Sequence, residues 1–267
     1  MHNADDSPRS LEFVFLGTGT SHGVPMIGCR CPVCISTNPH NKRTRCGVVV
    51  KTPSGNILID TPPELRLQLV REDIRVIHSV LYTHSHADHL FGLDDIRIFP
   101  HYLDQPVPIY CESSVETQIR QSFSYAFDPL TKQVPSGGLP QMVFRSIQLD
   151  PFEVLGLPVI PIRLEHGRYQ VLGFRIGNLA YCTDVKVIPP ESWPLLEGLD
   201  ILILDALREK PHPTHMCIAE SLEVVEKVRP KQTYFTHIAH HLDHDATMAQ
   251  LPDGVALAYD GLSFPFA

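Results

Sequence analysis

Between residues 84 and 89 the chain places three imidazoles and one carboxylate, His84, His86, Asp88 and His89, directly after an apolar run. Neutral imidazole and carboxylate are donors that suit zinc and iron and, in oxygen-rich sets, manganese. Several such donors converging from one loop invite a pair of metal ions. Solvated surface histidines with no shared task are the plain alternative. A bare His-x-His would leave that alternative open, whereas the addition of Asp88 and His89 argues against it.

One loop cannot complete two coordination spheres, so further donors must come from distant positions. His166 lies between two strand-like runs, Asp184 follows the apolar residues 179–183, and His237 follows residues 233–236. Each stands just beyond a β-rich stretch, as His84 does. Loops beyond strand ends are where α/β folds mount chemistry on a rigid support. Asp60 ends another such stretch and has two readings: an acceptor for the N–H of a ligand imidazole, or a cap for a helix starting near Pro63.

A second constellation is Cys29-Arg30-Cys31-Pro32-Val33-Cys34, which holds three of the seven cysteines. In a reducing compartment such a cluster reads as metal binding before it reads as disulfides. Cys29, Cys31 and Cys34 are one ligand short of a closed tetrahedral zinc site. His240, His241 and Cys46 are the candidates for the fourth. Cys46, Cys111, Cys182 and Cys217 lie in or beside apolar segments and otherwise read as small core residues.

The elements that must carry these residues follow from periodicity. Residues 11–16 have strand composition and end at Gly17-Thr18-Gly19-Thr20, a tight loop that lacks the Gly-Lys-Ser/Thr of a P-loop. Residues 46–51 and 56–60 predict a hairpin about Thr52-Pro53-Ser54-Gly55. Pro63 opens a helical pattern with Leu65, Leu69 and Val70 as candidates for one face before Asp73, and residues 76–82 form the strand that delivers the histidine cluster. Helices are expected over 90–99 and 114–125, with a strand over 107–111 between them. Residues 128–140, with three prolines and two glycines, read as a loop suited to a lid. Strands follow over 141–149, 154–164, 169–176, 179–183, 201–205, 233–236 and 255–259. Thr214 is placed to cap a helix carrying Ile218, Leu222 and Val225, stopped by Pro230. With no repeat or linker, this pattern predicts a disordered segment 1–10 and a single domain over 11–267, with sheets inside and helices outside.

At 267 residues, 43% apolar and 19% charged, the chain can bury a sizeable core. No apolar run approaches the roughly 18 residues of a membrane span. The polar opening Met1-His2-Asn3-Ala4-Asp5-Asp6 lacks the apolar stretch of a signal peptide, so the expected compartment is the cytoplasm. A net charge of −8 argues against a partner gripped along many phosphates, such as long nucleic acid. The basic cluster Asn41-Lys42-Arg43-Thr44-Arg45 reads as a solvated loop.

His84-Ser85-His86-Ala87-Asp88-His89, followed in order by His166, Asp184 and His237, resembles the metallo-β-lactamase superfamily of hydrolases. That resemblance implies an α/β fold, the four-layer αββα sandwich of the metallo-β-lactamase type. Gly17-Thr18-Gly19-Thr20-Ser21-His22-Gly23-Val24-Pro25 and Gly28-Cys29-Arg30-Cys31-Pro32-Val33-Cys34 resemble the branch containing the phosphoribosyl 1,2-cyclic phosphate phosphodiesterase of phosphonate breakdown. The resemblance runs from about Phe13 to His240.

It implies one metal on His84, His86 and His166, a second on Asp88, His89 and His237, and Asp184 between them. The two oxygens of a carboxylate can indeed span cations about 3.5–4 Å apart, which one imidazole cannot do. It makes His240 the fourth ligand of the cysteine site, and places His215 near the leaving group, where an imidazole can supply a proton. The implied cofactors are two divalent catalytic metals, zinc or manganese, and one structural zinc. The implied activity is hydrolysis of a small, cyclic phosphodiester by a metal-bridging hydroxide, with His215 as general acid. The fold also admits a tRNA 3′-processing endoribonuclease, a lactonase-type hydrolase, or a zinc or redox sensor without activity. No long basic glycine-rich arm for gripping tRNA is present, and the complete donor set argues against a sensor. The expected partner is therefore a small-molecule phosphodiester and not a membrane, and a homodimer is compatible with the sequence.

Overall fold

The computed structural model describes residues 11–128 and 138–267. The expected disordered segment 1–10 and most of the expected lid lie outside the described residues.

Among the described residues, seven strands form each of two sheets. The first is built from β1 (Leu11–Gly17), β2 (Gly47–Thr52), β3 (Gly55–Ile59), β4 (Ser79–Leu81), β5 (Val107–Cys111) and β6 (Met142–Ser146), side by side in that order. The second runs from β7 (Phe152–Val154) through β8 (Leu157–His166), β9 (Tyr169–Ile176), β10 (Leu179–Cys182), β11 (Ile201–Asp205) and β12 (Gln232–Thr236) to β13 (Val255–Leu257). The chain then returns to the first sheet, where β14 (Ser263–Phe266) pairs antiparallel with β1. Within each sheet a block of four strands is parallel, β3 to β6 and β10 to β13.

Alternation along the strands decides the layers, because successive side chains point to opposite faces. In β1, Phe13 and Phe15 enter the core between the sheets, while Val14 and Leu16 face outward. In β10, Leu179 and Tyr181 point between the sheets and Ala180 and Cys182 away from them. Strands apolar on both faces require a cover on both faces. Helices Leu65–Arg71 and Ser113–Ser122 supply it for the first sheet through Leu65, Leu69, Val115 and Ile119. Helix Ile218–Val228 supplies it for the second through Val224, flanked by Leu222 and Val225. The order of layers is helix, sheet, sheet, helix.

The carboxyl ends of parallel strands deliver the chemistry, the position that favours ligand sites in α/β sheets. Asp60 follows β3, Asp184 lies just beyond β10, and His237 follows β12. All three have left-handed backbone, with φ of 65°, 54° and 57°. Non-glycine residues adopt that conformation sparingly, and it recurs where a functional side chain must be turned into place.

Several sequence expectations need correction. The strand expected over 76–82 shortens to Ser79–Leu81, and that over 154–164 is split where Leu155 and Gly156 take positive φ. The helix expected over 90–99 becomes a short turn Ala87–Leu90, a 3-10 stretch Leu93–Ile98 and a helix Phe99–Leu103. Gly92 is pressed so closely against Pro62 that any Cβ would collide with its carbonyl oxygen. Thr214 does not cap the following helix. That helix starts at Ile218 behind Cys217, whose N–H donates to Glu220 Oε2 at 2.8 Å, while the Thr214 carbonyl serves His166. The basic cluster is not simply solvated either. Arg43 is 1% exposed, donating to Asn41 Oδ1 and to the Ala239 and Leu242 carbonyls.

Candidate metal centre

The strand exits bring His84, His86, Asp88, His89, His166, Asp184 and His237 together around the Asp184 carboxylate. Its Oδ1 lies 3.2 Å from His89 Nε2 and 3.4 Å from His237 Nε2. Its Oδ2 lies 3.8 Å from His84 Nε2 and 3.9 Å from His166 Nε2. Asp88 Oδ2 joins the first group, 3.5 Å from His89 Nε2 and 3.7 Å from His237 Nε2. His86, half-buried, packs its ring against those of His84 and His166 at 4.5 and 5.2 Å.

Hydrogen bonds at the back of the rings fix which nitrogens face the carboxylate. His166 Nδ1 meets the Thr214 carbonyl at 2.8 Å, and a carbonyl only accepts, so Nδ1 carries the proton. Asp60 Oδ2 accepts from His89 Nδ1 at 2.8 Å and from the Thr83 hydroxyl at 2.7 Å. With its hydrogen committed to Asp60, the Thr83 hydroxyl accepts from His84 Nδ1 at 2.9 Å. Asp60 thus orients two imidazoles, one directly and one through Thr83, and does not cap a helix. Thr183 Oγ1 donates to Asp184 Oδ1 at 2.9 Å.

These contacts leave His84 Nε2, His89 Nε2 and both ring nitrogens of His237 buried without a hydrogen-bonding partner. Unpaired buried nitrogens are costly and uncommon. Here the three Nε2 atoms converge on one split carboxylate, so the donor set fits divalent cations. Electrostatics agree. Burial works against the charged form of Asp184, yet His237 and His89 hold its carboxyl well below the usual range. Burial pushes His84 well down and His166 to about 4, which leaves them neutral donors.

His215 comes from the loop after β11, pinned by the backbone bonds Met216 N to Val185 O and Leu207 N to Met216 O. Its ring lies 4.5 Å from the rings of both His166 and His237. Its Nδ1 donates to Asp205 Oδ2 at 2.6 Å. Sequence reasoning missed Asp205, Thr83 and the Thr214 carbonyl. Asp205 had a usable signal, since it ends an apolar strand as Asp60 does. His212 accepts from Thr214 N at 3.3 Å, with its ring 5.3 Å from that of His215.

The cysteine cluster gathers separately. One donor atom each from Cys29, Cys31, Cys34 and His240 lie within 4.8 Å of one another. His240 Nδ1 is 3.4 Å from Cys29 Sγ and 3.3 Å from Cys31 Sγ. Of the three candidates for the fourth position, His240 alone lies in that cluster. Cys46 is buried against the Thr236 hydroxyl, and the His241 side chain is exposed. Between the two centres, Ile238 and Ala239 are tied to Thr18 and Leu207 by backbone bonds.

The family model described as the beta-lactamase superfamily domain matches residues 55–238. The chain belongs to that family. A solved structure described as a new diphosphatase from the PhnP family superposes with a TM-score of 0.90 at 42% identity, covering 96% of this chain and 98% of that one. Zinc-bound PqqB from Methylobacterium extorquens superposes with a TM-score of 0.75 at 18% identity, covering 96% of this chain and 100% of that one, a likeness of fold. Among curated proteins, coenzyme PQQ synthesis protein B of Methylobacterium nodulans is 30% identical over 231 residues, 73% of this chain and 72% of that protein. An octanoyltransferase of Porphyromonas gingivalis is 36% identical over 256 residues, 94% of this chain. The chain spans about half of that relative's length, 51%. The chain is thus a member of the beta-lactamase superfamily, similar over nearly its whole length to the PhnP-family diphosphatase. Among its described residues no helix is long and apolar enough to cross a membrane.

Proposed function

We propose that the chain hydrolyses a small phosphodiester, cyclic in its natural form, at a dinuclear centre. His84, His86 and His166 would hold one divalent cation, Asp88, His89 and His237 the other, and Asp184 would serve both. The observation that carries this reading is the division of Asp184, one oxygen toward His84 and His166 and the other toward His89 and His237. When bound, two such cations, zinc or manganese, supply Lewis acidity at phosphoryl oxygens and a lowered pKa for nearby water. Zinc fits the cysteine cluster, where it would fasten the N-terminal loop to the segment carrying His237. The cytoplasm suits free thiols of this kind, which stay reduced there.

The chain's own residues supply orientation and the proton. Asp60, Thr83 and Thr214 hold three imidazoles by their Nδ1–H groups, so that Nε2 is the donor in each. His215 has Nδ1 committed to Asp205, which leaves Nε2 to hold the proton that a departing alkoxide takes. Asp205 balances the charge of the imidazolium while that proton is held.

The 42% identical diphosphatase favours a second reading, cleavage of a phosphoric anhydride. The two differ in their leaving groups, because a departing phosphate needs a proton less than an alkoxide does. A substrate series with both kinds of leaving group, run beside bis(p-nitrophenyl) phosphate, separates them. His215→Ala is expected to lose about 10²–10⁴-fold in turnover of alkoxide-releasing diesters, little with p-nitrophenolate, and no metal. Asp184→Asn keeps a residue type that tolerates left-handed backbone, and is expected to lose metal and activity together. Equal metal loss in both variants would remove His215 from the acid role. Faster turnover of anhydrides than of cyclic diesters at full metal loading would move the reading to a diphosphatase. Salt-sensitive cleavage of precursor tRNA would favour the endoribonuclease, and lactone opening the lactonase. No turnover with either zinc or manganese would favour a sensor.

A further inference from the structure

A third group of donors belongs to neither centre. His40 lies in the 3-10 turn Pro39–Asn41, and His244 and Asp245 open the short helix His244–Met248. One donor atom from each of the three lies within 4.8 Å of the others. The arrangement is held from both sides. Asn38 Nδ2 donates to Asp245 Oδ2 at 2.9 Å, Asn41 Oδ1 accepts from His244 N at 2.9 Å, and Asn41 Nδ2 donates to Asp243 Oδ2 at 2.7 Å. The His40 ring stacks on Tyr259 at 4.1 Å and lies 4.5 Å from the His244 ring.

His244 supplies an independent sign of a ligand. It is 6% exposed, and its Nδ1 is buried without a hydrogen-bonding partner. Burial, with His40 and Arg43 nearby, holds its imidazole down to about 4, so the ring is a neutral donor at physiological pH. Asp245 is exposed, which gives an ion a way in and a place to keep water. Two imidazoles and a carboxylate, with a position open to solvent, suit zinc or cobalt(II).

We propose that His40, His244 and Asp245 form a further divalent-cation site that clamps the turn at residues 39–41 to the helix that follows His240. Such an ion cross-links the same two regions as the cysteine cluster, on residues the hydrolytic reaction does not use.

The test is a calorimetric titration of zinc into holoenzyme whose catalytic and cysteine sites are already filled. Wild type is compared with His40→Phe, which keeps a ring on Tyr259, and with the exposed Asp245→Asn. Wild type is expected to show one additional binding step, weakened roughly tenfold or more in each variant. Its Tm rises with zinc where those of the variants do not. Cobalt(II) in place of zinc should give d–d bands for this step without the thiolate charge-transfer band of a cysteine site. An identical step in all three proteins, or none in wild type, would overturn the site and leave aromatic packing as the role of these residues. No readout is activity, so the outcome is separate from that of the hydrolase reading.

Discussion

His215 and Asp205 meet at 2.6 Å, with Asp205 wholly buried and His215 8% exposed. Burial pushes the Asp205 carboxyl up, and His215 counteracts that push. The contact fixes the ring by its Nδ1 and leaves Nε2 as the free nitrogen. Asp205→Asn keeps an acceptor for His215 Nδ1 but removes the charge. The expected result is slower turnover of alkoxide-releasing diesters, within the ~10²–10⁴-fold that a positioned acid contributes. Turnover of diesters that release p-nitrophenolate should change little, with metal content unchanged. An equal loss with alkoxide and p-nitrophenolate leaving groups would leave Asp205 a merely structural role.

The difference between Asp205 and the histidine cluster shows what a sequence can disclose. His84 to His89 is legible because its donors are neighbours in the chain, and a cluster of that density has few other uses. Asp205 is an ordinary aspartate at a strand end, and only the fold reveals that it faces a histidine ten positions on. Arg43 reads as solvated because the carbonyls of Ala239 and Leu242 that bury it lie almost two hundred residues away. Layers and most strands follow from alternation. β14 escapes that reading because Pro265 interrupts it, and a proline is tolerated there since β14 is an edge strand paired only with β1.

Asp60 is buried, 0% exposed, and reaches two imidazoles, His89 directly and His84 through Thr83. Asp60→Asn retains an acceptor oxygen but weakens the hold on His89 Nδ1 and on Thr83. Metal affinity is expected to fall about 10–100-fold, the usual cost of losing a partner behind a ligand. Activity should return when metal is supplied in excess, which a variant damaged in its reacting groups would not show. Metal-dependent activity curves for the two proteins make the comparison, and coincident curves would count against the role.

Removing the metals turns the centre into a store of protons. Burial opposes charge on His89 and His237, but Asp184 and Asp88 outweigh it, raising His89 well above its ordinary value and His237 to about 9. Cations require both rings as neutral donors, so loading near neutral pH should expel a proton from each. The release from His237 should fade as pH rises through about 9. For the metal-free fold, the same raised value means stabilisation fully present below 6.5 and lost as pH climbs through about 9. Calorimetry of metal binding in buffers of different ionisation enthalpy counts the protons. Binding at neutral pH with no net release would contradict the pairing of these histidines with Asp184.

Metal-free protein should also expose the Cys31 thiolate ahead of four buried thiols. The hydrogen bond to His240, opposed by burial and helped by the Cys34 backbone, lowers Cys31 to about 6. Burial instead raises Cys34 to about 11, Cys111 and Cys182 to about 12, and Cys46 further still. The thiolate is the nucleophile, so at neutral pH iodoacetamide should modify Cys31 before those four, with its rate falling as pH drops through about 6. Zinc should protect it, and Cys31→Ser should lose that ion and lower Tm. Because Ile238 and Ala239 join His240 to His237, this variant should also lose activity with its catalytic metals still bound. Peptide mass spectrometry after brief alkylation reads the order of modification. Reaction at Cys46 or Cys182 ahead of Cys31, or a rate at Cys31 indifferent to zinc, would separate His240 from the cysteine site.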